Sequence, residues 1–303
     1  MTPDIGLPPE LDALKNTVRQ IIRDECVPLE PEYLAHPPLE GEPDNGAPRG
    51  VLETVPGVLG TLSADQWDRL HHVSKQTGIY TSFVPEEYGG GGMGALGHLV
   101  LEEEVHRSIV HLPTSPVPMF MIGACTPEQE EKYLYPATQV LGEVGGGFTL
   151  GQQWLVHHDR LLRGAMALGI LTRALEMAIE WSQQRITYGR PIADRQAIQW
   201  MLTDVYMDIV ALRSVARETA ARADAGEDVR VEASMVKYAA GEWGWRSIDK
   251  IMQVFGGMGE TLDLPIAHWY HMLRHARIGG GTSEIHKFVM ARALLGGRVN
   301  FQG

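Results

Sequence analysis

The sequence predicts a nearly all-α protein, an N-terminal helical domain followed by a C-terminal antiparallel helical bundle. Three observations carry this expectation. Apolar residues recur at steps of three and four over long stretches of the second half. Hardly any stretch alternates with period two for long enough to make a sheet. Glycine is abundant, 34 of 303 residues or about 11% against a usual ~7%, and it clusters where the periodic stretches stop.

Taken in order, residues 9–24 read as a first helix. Pro9 suits the first turn, Glu10 and Asp12 follow it, and Leu11, Leu14, Val18, Ile21 and Ile22 fall at helical spacing. From Pro28 to Pro56 the chain is rich in Pro and Gly and reads as a long connection. Ser63 is a suitable N-cap for a helix beginning Ala-Asp-Gln-Trp. The loop 84–94 leads into a helix over about 95–107.

The second half is more regular. One helix spans 155–184, with Leu161, Ala165, Leu168, Leu171, Leu175 and Ile179 on one face. Gly164 and Gly169 inside it each cost about 1 kcal/mol relative to Ala, so close helix–helix approach is their expected reason. Further helices span 193–223 and about 229–255, the latter with a left-handed termination at Gly256-Gly257. A shorter one starts near Pro265, and the last starts at an N-cap, Thr282, and ends at Gly296-Gly297. Long amphipathic helices with short joins make an antiparallel bundle.

Composition excludes several functions. With 26 Lys plus Arg against 38 Asp plus Glu, the net charge of −12 offers no footprint for nucleic acid or an anionic membrane. No apolar run approaches the ~20 residues of a membrane helix, and the start MTPDIGLPPELDAL lacks a basic region followed by an apolar one, so a cytoplasmic protein is expected. Two cysteines, Cys26 and Cys125, are read as buried reduced thiols.

Local motifs are ambiguous. GGGGMG at 89–94 satisfies Gly-x-Gly-x-x-Gly, but Pro85, Glu86 and Glu87 precede it and no βαβ pattern surrounds it, which argues against a dinucleotide loop. Gly279-Gly280-Gly281 before Thr-Ser-Glu opens a helix whose free N–H groups could hold an anion or serve a tight capped turn. Adjacent His157 and His158 point about 100° apart on a helix and cannot share one metal ion. Asp159 and Arg163, four apart, fit either an i,i+4 ion pair or a general base beside a charged group, Arg160 or Arg163.

Four segments in order resemble one family, the flavin-dependent acyl-CoA dehydrogenases. They are Val84-Pro-Glu-Glu-Tyr-Gly-Gly90; Gly169 to Ile192, a long helix followed by Arg185-Ile-Thr-Tyr-Gly-Arg-Pro191; Gln253-Val-Phe-Gly-Gly-Met-Gly259; and Arg274 to Leu295 with its Gly-Gly-Gly-Thr-Ser-Glu. The resemblance implies an N-terminal helical domain over 1–138, a Gly-rich linker over 139–150 and a C-terminal helical bundle over 151–303. Glu128 to Pro136 resembles the end of the family's first domain, and Val140 to Phe148 resembles the entry to its bundle. The family's middle β-domain is therefore missing, and surface that it would cover is expected to carry exposed apolar area.

The resemblance also implies roles. FAD is the cofactor, gripped partly by a neighbouring subunit through Arg185, Tyr188, Gln196, Gln253, Gly256 and Gly257, with Thr282 and Glu284 near the flavin. Many members place the α-proton base directly before Gly-Thr-Ser, where this chain has Gly280. Others place it on the long helix, at the position of Asp159, and Arg160 matches the family's Arg just after it. Two functions follow. One is FAD-dependent α,β-desaturation of an acyl-CoA, with an electron-transfer flavoprotein-like acceptor and a homo-oligomer. The other is a non-catalytic paralogue that lends helices to a mixed oligomer with a full-length paralogue.

Overall fold

The computed structural model describes residues 6–35, 62–86, 89–114, 156 and 159–299. Among these the architecture is helical, and the one sheet is a two-residue-per-strand hairpin. Helix α1 (Pro9–Ile21) has Pro at its first turn, Glu10 and Asp12 near its N-terminus and Arg19 near its C-terminus, which complements the helix dipole. It does not stop at 24. A π-turn (Ile22–Cys26) and a 3₁₀-turn (Val27–Leu29) carry the chain into α2 (Glu30–Ala35). The expected connection from Pro28 therefore begins as helix, because Tyr33, Leu34 and Glu30 are buried. The rest of it, 36–61, lies outside the described residues.

Helix α3 (Ala64–Gln76) starts with a full capping box, the Ser63 hydroxyl accepting from the Gln66 N–H and the Gln66 side chain accepting from the Ser63 N–H. The loop 89–94 packs on residues 82–84: a Cβ on Gly90 or Gly91 would strike the Val84 or Ser82 backbone. That close approach accounts for these glycines without a ligand. Helix α4 (Ala95–Val105) follows; its N-terminal Ala95 and Leu96 N–H groups are accepted by Asp224, far along the chain, at 2.6 and 2.9 Å.

The bundle comprises α5 (Arg160–Gln184), the hairpin β1 (Ile186–Thr187) with β2 (Arg190–Pro191), α6 (Gln196–Asp224), α7 (Arg230–Phe255), the short α8 (Gly257–Glu260), α9 (Ile266–His275) and α10 (Ser283–Leu295). Helix α7 packs on α5, α6, α9 and α10, and α4 lies against α5 and α6. The α5 stripe from Leu161 to Leu175 is buried as expected, while Ile179 is exposed. Burial continues round the helix through Met166, Ala167, Ile170 and Ala174, because α5 has neighbours on several sides. Gly169 is pressed against the α4 backbone at Glu103 and His106, and a Cβ on Gly164 would lie 2.5 Å from Val236 Cγ1.

Three boundaries differ from the periodicity. Arg195 is extended, so α6 begins at Gln196 after a 3₁₀-turn. The Tyr188-Gly189 turn of the hairpin, with φ 51° and 78°, was not foreseen, since two residues per strand leave no periodic signal. Gly256 has φ 61° and ψ −140°, a glycine-only conformation but not the left-handed termination expected. Thr282 caps α10 by accepting from the Ile285 N–H, and exposed Ile278, Ile285 and Phe288 form apolar surface at the start of that helix.

Ion pairs join the N-terminal helices to the bundle. Glu30, 5% exposed, accepts from both Arg173 terminal nitrogens at 2.6 Å and from the Ser108 hydroxyl at 2.8 Å. Arg213 donates to Glu103 and Thr172, and Arg19 donates twice to Glu104. Cys26 is a buried free thiol pushed up to about 12 by burial and nearby Glu25 and Glu30; Cys125 lies outside the described residues. Among the described residues no helix is long and apolar enough to cross a membrane, and no group of His, Cys, Asp or Glu could hold a metal ion.

Candidate functional site

Two constellations emerge, at opposite ends of α7. The first surrounds the loop Gly279-Gly280-Gly281, where α5 begins. Arg163 Nη2 donates to Asp159 Oδ1 at 3.1 Å, the i,i+4 pair that the spacing allows. Asp159 Oδ2 is buried without a hydrogen-bond partner among the described residues. It lies 2.6 Å from where a Cβ on Gly280 would sit, and Arg163 Nε lies 3.7 Å from the same point. Gly280 has φ +69°, so a side chain there would be both strained and in collision.

Cations surround this carboxylate. Arg160 is buried, donates to Ser234 Oγ at 3.3 Å, and is shifted down by burial. Lys237 is fully buried in α7, donates to the Ala276 carbonyl at 2.7 Å and to the Gly281 carbonyl, and so staples the loop from beneath. Burial, reinforced by the Arg163 charge, lowers its ammonium to about 8. His286 is buried and lowered to about 4, first by burial and then by Lys237 and Arg160. His275 is lowered by burial, Arg163 and Lys237. Arg160 Nε, Arg163 Nε, His275 Nε2 and His286 Nδ1 also have no hydrogen-bond partner among the described residues. Buried polar atoms are normally satisfied, so this concentration makes the loop a candidate site.

Sequence reasoning missed Lys237, His275 and His286. A signal was available for Lys237, a single cation on the apolar face of Ala233-Ser-Met-Val-Lys-Tyr-Ala-Ala. Thr282 and Glu284 adjoin this loop at the N-terminus of α10, with Glu284 exposed and lowered by its own backbone N–H and the Thr282 hydroxyl.

The second constellation lies where α7 ends. Gln253, Gly256 and Gly257 line one cavity of about 430 Å³ with Asp249, Met252, Glu260 and Tyr270. Among the described residues no non-neighbouring atom lies within 4 Å of a Cβ built on Gly256 or Gly257, so the backbone there has open space beside it. Phe255 stacks on Trp181 at 5.5 Å, and the Arg185 guanidinium lies 5.9 Å over that indole. The stack links Arg185 through Trp181 to Phe255, the residue before Gly256, while Arg185 itself does not line the cavity. Tyr188, 97% exposed, lies under Arg195 at 5.7 Å on the hairpin turn, and Gln196 is exposed in the first turn of α6. The open backbone, the Gln253 amide and the Arg185 fork suit a dinucleotide's pyrophosphate, while Asp249 and Glu260 suit ribose hydroxyls. Gln253, Gly256 and Gly257, three of the residues expected to hold FAD, thus line one cavity. From Lys237 to Gln253 is 16 residues (253 − 237), about 24 Å along α7 at ~1.5 Å per residue.

Comparison with known proteins agrees with this architecture. The model of the acyl-CoA dehydrogenase N-terminal domain matches residues 61–140, and that of the acyl-CoA dehydrogenase C-terminal domain matches residues 145–295. The chain belongs to the acyl-CoA dehydrogenase family. Only residues 141–144 lie between the two matches, which leaves no room for a middle domain of ordinary size, about 50 residues or more.

Acryloyl-CoA reductase (NADH) of Anaerotignum propionicum is 34% identical over 160 residues, 53% of this chain and 40% of that protein. The short-chain specific acyl-CoA dehydrogenase of Megasphaera elsdenii is 34% identical over 160 residues, 53% of this chain and 42% of that protein. The chain thus spans about two fifths of the length of these relatives. The structure of butyryl-CoA dehydrogenase from Megasphaera elsdenii superposes with a TM-score of 0.73 at 18% identity, covering 96% of this chain and 100% of that one, a likeness of fold.

Proposed function

We propose that the chain is an acyl-CoA dehydrogenase-type oxidoreductase that desaturates an acyl-CoA thioester α,β with FAD, and that Asp159 is its base. The observation that carries this reading is the meeting of Asp159 Oδ2 with Gly280. These are the two positions at which family members carry the base, and here the carboxylate of one fills the space left by the missing side chain of the other. Asp159 would take the α-proton at Oδ2, and Arg163 would hold the carboxylate through Oδ1. Lys237 would fix the loop that closes the site by binding its two carbonyls.

FAD, when bound, would accept the hydride from the β-carbon. Arg185, Gln253, Gly256 and Gly257 would hold its pyrophosphate and adenosine, and Thr282 and Glu284 would lie nearer the ring, with Tyr188 and Gln196 at the rim. Since the cavity and Asp159 lie at opposite ends of α7, the two sets would serve one cofactor only across two copies, which is why a homo-oligomer belongs to the reading. The acceptor would be an electron-transfer flavoprotein. The boundaries at 138 and 151 remain part of the proposal.

The test is spectroscopic. The purified chain should carry or take up FAD, and anaerobic addition of an acyl-CoA should bleach the flavin band. Asp159→Asn should keep the flavin and lose the bleaching. A chain that stays colourless with FAD and acyl-CoA would sink the stand-alone enzyme.

A second reading is a non-catalytic paralogue that lends its α7 cavity and Arg185 to a flavin held by a full-length partner. It is favoured by the separation of that cavity from Asp159. It predicts FAD uptake only after mixing with such a partner.

A further inference from the structure

We propose that a second cavity, between α4 and α6, binds an aliphatic carboxylate: one anionic head on a linear apolar chain. The cavity measures about 560 Å³, and no residue of either constellation described above lines it. Three segments converge on it. Leu7 precedes α1, Leu96 lies at the start of α4, and Val210, Val215 and Ala221 belong to the second half of α6. These five side chains supply apolar wall. From Val210 to Ala221 is 11 residues (221 − 210), about 16 Å along α6 at ~1.5 Å per residue. A long apolar cavity of this volume with a few polar groups is the usual form of a small-molecule site. Its length suits a linear chain.

The polar groups name the head. Arg213 and Arg217 both line the cavity, and Arg217 is 8% exposed. Arg213 is held in place on its other nitrogens: Nε and Nη2 donate to Glu103 Oε1 at 3.0 and 2.7 Å, and Nη2 also donates to the Thr172 hydroxyl at 3.0 Å. Its Nη1 makes no hydrogen bond among the described residues. A guanidinium fixed by two prongs with a third nitrogen to spare is a pre-organised carboxylate donor. Glu103 on Arg213 and exposed Glu218 at the rim leave little positive surplus, which selects a carboxylate monoanion over a phosphate dianion. The opposite wall is pre-organised too. Asp224, at the end of α6, accepts from the Leu96 N–H at 2.9 Å and so fixes Leu96 relative to α6.

The experiment is calorimetric titration of the full chain with sodium octanoate, with butyrate and octanol as comparators. Octanoate should bind. Butyrate should bind about 10²-fold more weakly, since each CH₂ buried is worth about fourfold. Octanol, which lacks the charge, should bind about 10–100-fold more weakly. Arg217→Met, similar in length and uncharged, should lower octanoate affinity by about 10–100-fold and leave octanol within about twofold. Should Arg217→Met lose its helical circular dichroism, Ser214→Phe carries the test. Ser214 lines the cavity at an exposed position, so its substitution fills the cavity from outside and should abolish octanoate binding. Octanol binding as tightly as octanoate would overturn the assignment of the head group. Octanoate keeping its affinity in Ser214→Phe, or failing to bind the unaltered chain, would overturn the site. Bleaching of FAD by acyl-CoA should be unchanged in Ser214→Phe, so failure here and failure of the proposed function are read separately.

Discussion

Glu30 and Asp159 are both buried carboxylates, 5% and 7% exposed, each beside an arginine. Their surroundings differ completely. Glu30 is bound through both oxygens by Arg173 and also accepts from the Ser108 hydroxyl and the Ile109 N–H. Among the described residues Asp159 is bound through one oxygen, and its other oxygen lies beside a glycine loop amid further unpartnered nitrogens. The first site holds two helical regions together. The second leaves polar groups without partners among the described residues, which costs stability.

The contrast can be broken from either side. The largest effect is expected for Glu30→Ala, which leaves Arg173 buried without its counter-ion: a loss of about 3–5 kcal/mol in urea unfolding, with the N-terminal helices released. Gly169→Ala tests the same junction sterically. Its Cβ would enter the α4 backbone, so a loss of about 1–3 kcal/mol is expected from the thermal midpoint. Asp159→Asn should cost less, about 1–2 kcal/mol, because only one charged hydrogen bond is lost. A stability loss at Asp159 as large as at Glu30 would erase the distinction.

Acid should show the difference most gently. His286 is held neutral down to about 4 and His111 to about 3, against an ordinary value of 6.5, in both cases first by burial. Below 6.5 the unfolded chain binds protons that the folded chain does not, so stability falls as pH drops from 6.5 towards 4. His286→Gln should flatten that slope in a pH series of unfolding curves.

Much of the fold was legible because its signals are local. The stripe on α5, the capping box at Ser63 and the Thr282 cap rest on residues within a few positions of one another. Gly164 and Gly169 were legible as sites of close approach, though not what approaches them. The hairpin at Tyr188-Gly189 was not legible, being too short for a period. Nor was the helical run from Ile22 to Ala35, since Pro28 and Pro31 there sit at the start of helical turns rather than breaking them. At the site, Asp159 was singled out only through the family resemblance, as a proposal, and His275 and His286 carried no local signal.

By itself the sequence determined the helical class and the order of the helices. These depend on periodicity, caps and spacing, all written along the chain. Only the tertiary structure decided that Asp224 caps α4, that Lys237 staples the glycine loop, and that Asp159 Oδ2 lies beside Gly280. Each of those joins residues far apart in sequence. The physical reason is that a buried polar group takes whatever partner packing brings to it, and packing is settled by the whole bundle rather than by any one helix.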